Sequence, residues 1–478
     1  MNTETAMFYY NKGHEAQQSG QLDQAIVSYQ QAIESDAKCF EAYHKLGDIF
    51  QEQGKLNEAI GYYRKAIEIE PHFYWSHVNL GTVLAKISRW DEAVTAYRCA
   101  IDINPNLSIA YHTLGDVLQS KTQLEAAICA YQKAIELEPN FYWSHVNLGC
   151  VYYQQLNFEE AIASYQRALQ LDSDSLPVHT YLGNVFTQQG KPAEAINFYT
   201  TATYKQTVAS HPEFLEKGWE LETVRQPDFI IIGAMKCATT SLYEYITQHP
   251  NVLSCLQKEL DFFSLYFENG LDWYFAQFPP VPVGAKFLTG EASTNYMDRI
   301  GTEKRLFAHF PNVKLIAILR NPIERAISHY YHMTKYHPAQ EQRSFEEAIF
   351  SEMELIKKLT HPSLLFQRYY NEPYRGHKQY GYFFRSLYIY FLEKWMTLFP
   401  KKQFLILSFE ELCAHPSVTM KQVFEFLELP NYQLTSYPKY NSGSYDPLEE
   451  NLRRTLSDFF APYNQKLEQY LGQQFNWK

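Results

Sequence analysis

The sequence predicts a multidomain chain: an all-α superhelix of stacked helix pairs, then an α/β domain built on a parallel sheet. Three observations carry this expectation. A 34-residue repeat of small and aromatic residues runs through the first part of the chain. Beyond Pro227 the pattern changes to short β-branched runs alternating with amphipathic helices. The first of those runs stops at a glycine and is followed by one lysine among small and hydroxyl residues, as in a phosphate-binding loop that opens a helix.

The repeat is explicit. The nonapeptide from Phe73 to Gly81 recurs unchanged from Phe141 to Gly149, a shift of 68 residues or two repeats. Leu-Gly recurs as Leu46-Gly47, Leu80-Gly81, Leu114-Gly115, Leu148-Gly149 and Leu182-Gly183, and the first unit keeps Gly13. The second helix of each unit carries Ala25, Ala59, Ala93, Ala127, Ala161 or Ala195. Four residues later stands Tyr29, Tyr63, Tyr97, Tyr131, Tyr165 or Tyr199. Small residues let paired helices approach, and the tyrosine fills the space between neighbouring pairs. Pro71, Pro105 and Pro139 end second helices. About six units span 6–205, a polar capping helix and linker follow over 206–226, and the α/β domain occupies 227–478. These units resemble the tetratricopeptide repeat, and that resemblance implies a first-helix face that includes Asp48, His112, Asp116 and Asn184, with Asn79 and Asn147 close to it, and that meets a partner or acceptor.

In the second half the candidate strands are Phe229 to Ile232, Val252 to Ser254, Lys286 to Gly290, Lys314 to Leu319 and Gln403 to Ser408. Ligands in such sheets sit outside the carboxyl ends of the strands. After the first strand, Gly233-Ala234-Met235-Lys236-Cys237-Ala238-Thr239-Thr240-Ser241 reads as a tight loop and helix start. Loop amides and the helix dipole favour an anion, Lys236 adds a charge, and Thr239, Thr240 and Ser241 can donate hydroxyl hydrogen bonds. A nucleoside-triphosphatase loop would end Gly-Lys-Ser/Thr, and a kinase would need a Walker B aspartate. This chain has neither, since its later strand ends in Arg320. Cys237, beside Lys236 at a helix N-terminus, is expected to have a lowered thiol pKa and to be reactive.

The repeats resemble the tetratricopeptide repeat. The loop, with Leu319-Arg320-Asn321-Pro322 and Ser328 further on, resembles the sulfotransferases that use 3′-phosphoadenosine 5′-phosphosulfate (PAPS). That resemblance implies that residues 236–241 hold the 5′-phosphosulfate and that Arg320 and Ser328 hold the 3′-phosphate. Gln257-Lys258-Glu259-Leu260-Asp261-Phe262-Phe263 is similar to a Lys-Glu-x-x-Phe-Phe element of the heparan-sulfate branch. On the same resemblance Glu291 is the base that takes the acceptor's proton, with Lys236 and Lys258 as cations. The stretch from Tyr437 to Leu448 would cover the nucleotide, with Lys439, Tyr440 and Ser444 near it and Tyr437 or Tyr440 against the adenine. PAPS is the implied co-substrate, and the scheme requires no metal.

Composition bounds the rest. The chain has 478 residues, enough for two or three domains, and 46% hydrophobic content supplies real cores. A net charge of −11 argues against a general nucleic-acid binder, so any anion site is local. Seven cysteines without a CxxC pair suit a reducing compartment and neither a disulfide framework nor a zinc site. No basic-then-apolar leader and no apolar run of about 18 residues is present, so a cytoplasmic protein without a membrane span is expected. The leading expectation is sulfation of a saccharide hydroxyl or amine, with the repeats docking acceptor or partner or self-associating. Sulfation of protein tyrosine, a lipid or a small molecule stays open, as does an inactive nucleotide-binding scaffold.

Overall fold

The computed structural model describes residues 3–216, 220–222, 226–336, 341–358, 381–438 and 448–477. They form two compact units, Met1–Gln189 and Gly190–Lys478.

The first unit is helix pairs throughout. Thr3–Gln18 packs on Leu22–Ser35, Phe40–Glu52 on Leu56–Ile69, and Tyr74–Lys86 on Trp90–Ile103. Ser108–Ser120 packs on Leu124–Leu137 and Tyr142–Gln154 on Phe158–Leu171, and Leu176–Gln188 is the unit's last helix. The repeat residues form the core: Ala25, Ala59, Ala93, Ala127 and Ala161 are fully buried, as are Tyr29, Tyr63 and Tyr131. The helical glycines answer to the tyrosines. A Cβ added at Gly115 would stand 2.6 Å from Cε1 of Tyr131, and one at Gly81 would stand 2.7 Å from Tyr97. Glycine costs a helix about 0.5–1 kcal/mol relative to alanine, and here that cost is offset by ring packing.

Five of the polar residues expected on an open face, Asp48, Asn79, His112, Asp116 and Asn147, join helices of neighbouring repeats. Asp48 Oδ1 accepts from Tyr63 Oη at 2.9 Å and from Asn79 Nδ2 at 2.9 Å. Two repeats on, Asp116 Oδ1 accepts from Tyr131 at 2.7 Å and Asn147 at 2.8 Å. His44 pairs with Ser76, and His112 with Ser144, both at 3.0 Å. The duplicated nonapeptide is therefore a duplicated latch.

In the second unit, helix Pro192–Ser210 continues the alanine and tyrosine pattern with Ala195, Tyr199 and Ala202 buried. Among the described residues seven strands follow: β1 (Leu221–Glu222), β2 (Phe229–Gly233), β3 (Val252–Ser254), β4 (Val281–Pro282), β5 (Leu288–Ala292), β6 (Lys314–Leu319) and β7 (Phe404–Ser408). Five make a wholly parallel sheet in the order β3-β5-β2-β6-β7. β1 and β4 pair antiparallel as a separate ribbon that the sequence reading missed.

β2 is buried along its whole length and β6 nearly so, as expected for central parallel strands. The chain leaves β2 for one side of the sheet and later returns to its other side as β6. That switch opens a crevice at the carboxyl end of β2. One boundary needs correcting. β5 runs Leu288–Ala292 and not Lys286 to Gly290, because it pairs with β2 as far as Ile231↔Ala292. Glu291 consequently lies inside a strand, opposite Ile230.

Candidate active site

The loop after β2 departs from β geometry at once. The Ala234 amide donates to the Ile318 carbonyl of β6 at 2.9 Å, which fixes the loop's start. Lys236 and Ala238 then adopt left-handed backbone, with φ of 67° and 62°, and helix Thr239–Thr247 begins. Non-glycine residues are uncommon in that region and cluster at functional sites. Such turns also point successive amides into a concavity suited to an anion. Thr239 and Ser241 are buried in the first helical turn, while Thr240 and Lys236 keep partial access.

Arg320 follows directly on β6 and donates from Nη1 to the Lys236 carbonyl at 3.3 Å. Its guanidinium lies 4.5 Å from the centre of the Phe409 ring, a cation–π contact that holds its plane. Glu410 braces the turn beneath, accepting the Asn321 amide at 2.8 Å. Asn321 Oδ1 in turn accepts the Ile323 amide at 2.9 Å, capping helix Pro322–Tyr336 on which Ser328 is buried. The structure thus brings together the two predicted anion elements, 84 residues apart.

Further cations surround the loop. Arg385 contacts Met235, and Arg325 is fully buried, with Nε 2.6 Å from Ser386 Oγ and Nη2 on the Tyr382 carbonyl. Burial and the neighbouring Arg320 hold the Lys236 ammonium below its ordinary pKa, and Glu259 opposes them.

Lys258 and Glu259 are ion-paired at 2.6 Å, so Lys258 is not a lone cation. Glu259 has left-handed backbone (φ 64°) and is tied to the end of β5, its amide donating to the Ala292 carbonyl at 2.9 Å. Its carboxylate accepts from Thr294 Oγ1 at 3.2 Å and remains 40% exposed.

Glu291 is the reverse case. It is fully buried and accepts three hydroxyls, from Tyr274 at 2.7 Å, Ser293 at 2.6 Å and Tyr296 at 2.9 Å. Burial outweighs those donors and pushes its pKa up to about 7. Its carboxylate has no exposed surface, with Oε1 accepting two hydroxyls and Oε2 one, so the expectation that Glu291 meets the acceptor is corrected. Glu291 organises the aromatic wall of Tyr274 and Tyr296. Glu259, the adjacent glutamate in the Lys258 motif, is the carboxylate that reaches solvent at this crevice.

Cys237 also departs from expectation. It is fully buried, with Sγ 3.8 Å from Tyr388 Oη, and burial pushes the thiol up to about 11, overriding the helix terminus and neighbouring cations. Lys439, Tyr440 and Ser444 lie outside the described residues. The start of their segment is anchored beside the site: Tyr245 Oη donates to the Pro438 carbonyl at 2.8 Å, and the rings of Tyr245 and Tyr437 meet edge to face at 5.3 Å.

Residues 226–451 match the sulfotransferase domain family, and 13–54, 120–155 and 151–190 match the TPR repeat, with 40–73 matching the tetratricopeptide repeat. The chain joins tetratricopeptide repeats to a sulfotransferase domain. It is 25% identical over 313 residues to the membrane-associated sulfotransferase kil1 of Dictyostelium discoideum, covering 53% of this chain and 66% of that protein. It is 29% identical over 280 residues to the human bifunctional heparan sulfate N-deacetylase/N-sulfotransferase 3, covering 52% of this chain and 30% of the relative. A crystal structure of a sulfotransferase from Alicyclobacillus acidocaldarius is 27% identical, with a TM-score of 0.40 over 52% of this chain and 98% of that one. The sulfotransferase match covers the loop after β2 and the Arg320 element, and the repeat matches lie over the helix pairs. Among the described residues no helix is long and apolar enough to cross a membrane.

Proposed function

We propose that the sulfotransferase domain uses PAPS as donor and a hydroxyl or amine of a saccharide-type acceptor. The observation that carries the donor reading is the Arg320–Lys236 contact, which brings the Arg320 guanidinium from a second element to the loop of Lys236. One element suits a phosphosulfate and the other a separate phosphate. The saccharide reading is supported by relatives named for heparan sulfate.

The residues divide the chemistry as follows. Lys236, the loop amides and the start of helix Thr239–Thr247 face the negative charge that builds on the 5′-phosphate. The bond from sulfur to the 5′-phosphate oxygen breaks, and its electron pair stays on that phosphate. The acceptor oxygen or nitrogen forms the new bond to sulfur, and its proton passes to Glu259. Lys258 holds Glu259 in place through the 2.6 Å pair. The repeat unit docks an acceptor or a protein partner.

Calorimetric titration with adenosine 3′,5′-bisphosphate tests the donor site. Micromolar binding to the intact chain, weakened about a hundredfold in Lys236→Ala and Arg320→Ala, is the expected result. No heat with the intact chain would overturn the reading.

A further inference from the structure

The peptide group that follows Arg320 is held at both ends by side chains. Tyr388 Oη donates to the Arg320 carbonyl at 2.9 Å, and Glu410 Oε1 accepts the Asn321 amide at 2.8 Å. A single indole touches both holders. Trp477 Nε1 donates to Glu410 Oε2 at 3.1 Å, and its ring meets that of Tyr388 with centres 5.9 Å apart. The three residues come from three separate elements. Tyr388 opens helix Tyr388–Leu398, Glu410 lies in the helical turn Phe409–Ala414 after β7, and Trp477 lies beyond helix Glu450–Leu471.

The segment that carries Trp477 is laid down by its own contacts. Gly472, with φ of 69°, ends the helix, and Gln473 Nε2 donates to the Ile406 carbonyl of β7 at 3.4 Å. The Phe475 amide donates to Glu468 Oε1 at 2.9 Å, and the buried Phe475 ring stacks on Trp477 with centres 4.5 Å apart. Asn476 takes left-handed backbone, with φ of 54°, which asparagine visits more readily than most residues. Phe475 supplies the apolar burial of this turn, whereas Trp477 stays half-buried and directs its one N–H at a carboxylate.

That carboxylate bears on the site. A peptide group restrained at its carbonyl and its amide sets the direction in which the Arg320 side chain leaves the end of β6. Arg320 also lies over Phe409, the neighbour of Glu410. Ser408 Oγ donates to the same Glu410 Oε2 at 2.8 Å, so the indole is one of two donors to that oxygen. We propose that Trp477 is a positioning residue for the donor's second phosphate, acting on Arg320 through Glu410 and Tyr388 without touching the nucleotide. The inference rests on the PAPS reading above, in which Arg320 meets the phosphate that the loop of Lys236 does not.

Adenosine 3′,5′-bisphosphate and adenosine 5′-monophosphate differ by that phosphate alone and give the test. In Trp477→Ala, calorimetry should show the bisphosphate bound about tenfold more weakly and the monophosphate within about twofold of the parent. Trp477→Phe keeps a ring on Tyr388 and Phe475 and removes the N–H, so it carries the test if the alanine variant does not fold. About threefold weakening of the bisphosphate alone is expected there. Equal weakening of both nucleotides, or no change in either, would overturn the inference. Hydrogen exchange without nucleotide reads the support directly. A peptide spanning the Asn321 amide should exchange about tenfold faster in Trp477→Ala, and unchanged exchange would overturn the inference as well. If the parent binds neither nucleotide, the donor reading fails, and the exchange result still decides whether Trp477 holds this peptide group.

Discussion

Arg320 and Lys236 are joined through a side chain and a backbone carbonyl, 3.3 Å apart, so the cation after β6 supports the loop after β2. Arg320 also stacks on Phe409. A lysine can reproduce the charge but neither the fork nor the stacked plane. Arg320→Lys should therefore weaken adenosine bisphosphate binding about tenfold, and Arg320→Ala about a hundredfold, as a charge-assisted pair and its loop support are lost. Titration at two salt concentrations checks that the loss is electrostatic: the parent's affinity should fall with added salt more steeply than that of Arg320→Ala.

Glu259 and Glu291 should separate cleanly. Glu259→Gln removes the solvent-reaching carboxylate and should lower sulfuryl transfer by roughly 10²–10⁴-fold with little change in nucleotide affinity. Glu291→Gln should leave transfer within severalfold but alter stability against pH. The folded Glu291 carboxyl has its pKa raised to about 7, so its stabilising contribution is full below the unfolded value near 4.5 and is lost as pH rises to about 7. Relative to Glu291→Gln, the parent should lose stability between those pH values, by an amount of order 3 kcal/mol, and then run parallel above pH 8. Denaturant unfolding of both chains across pH 4 to 8 measures this. A transfer defect as deep in Glu291→Gln as in Glu259→Gln would return the base role to Glu291.

Those two glutamates also mark the limit of what the sequence discloses. The residues from Gly233 to Ser241 were legible because strand, turn and helix start are contiguous, and their chemistry depends on local backbone. Arg320 and Ser328 were legible because they follow a strand end by short, fixed spacings. The repeats were legible because each Gly–Tyr contact recurs at a fixed period. Glu291 was misread because its environment is assembled from Tyr274, Ser293 and Tyr296, and no local pattern announces that three hydroxyls converge on one carboxylate. No local pattern marks Arg385, whose contacts are to residues roughly 90 and 150 positions away. The ribbon of β1 and β4 has two residues per strand, too few for any periodic signal.

Burial reverses the expectation for Cys237. With its thiol pushed up to about 11, almost none is ionised near neutral pH, and the side chain has no exposed surface. Iodoacetamide at pH 7.5 should modify Cys129 and Cys413, which are exposed, and leave Cys237 unlabelled until the domain is unfolded. Peptide mass mapping reads each site separately. Labelling of Cys237 in the folded chain at the rate of Cys129 would show that the loop opens readily.

The repeat array allows a sharper test of packing. A Cβ at Gly115 would sit 2.6 Å from Tyr131 Cε1, inside any real contact distance, and the ring is fully buried. Alanine gains about 1 kcal/mol of helix propensity over glycine, while overpacking costs about 1–3 kcal/mol, so Gly115→Ala should be net destabilising or nearly neutral. The sign is resolved by a double-mutant cycle. In a Tyr131→Leu background the clash is relieved, and Gly115→Ala should become stabilising by the propensity term. The coupling between the two sites, read from urea midpoints, should then exceed about 1 kcal/mol. Gly61, which has open space around its Cβ direction, supplies the control: Gly61→Ala should stabilise the array in either background. Absence of coupling between Gly115 and Tyr131 would mean that neighbouring helices slide apart to admit the methyl group, and that the glycine is there for a reason other than the ring.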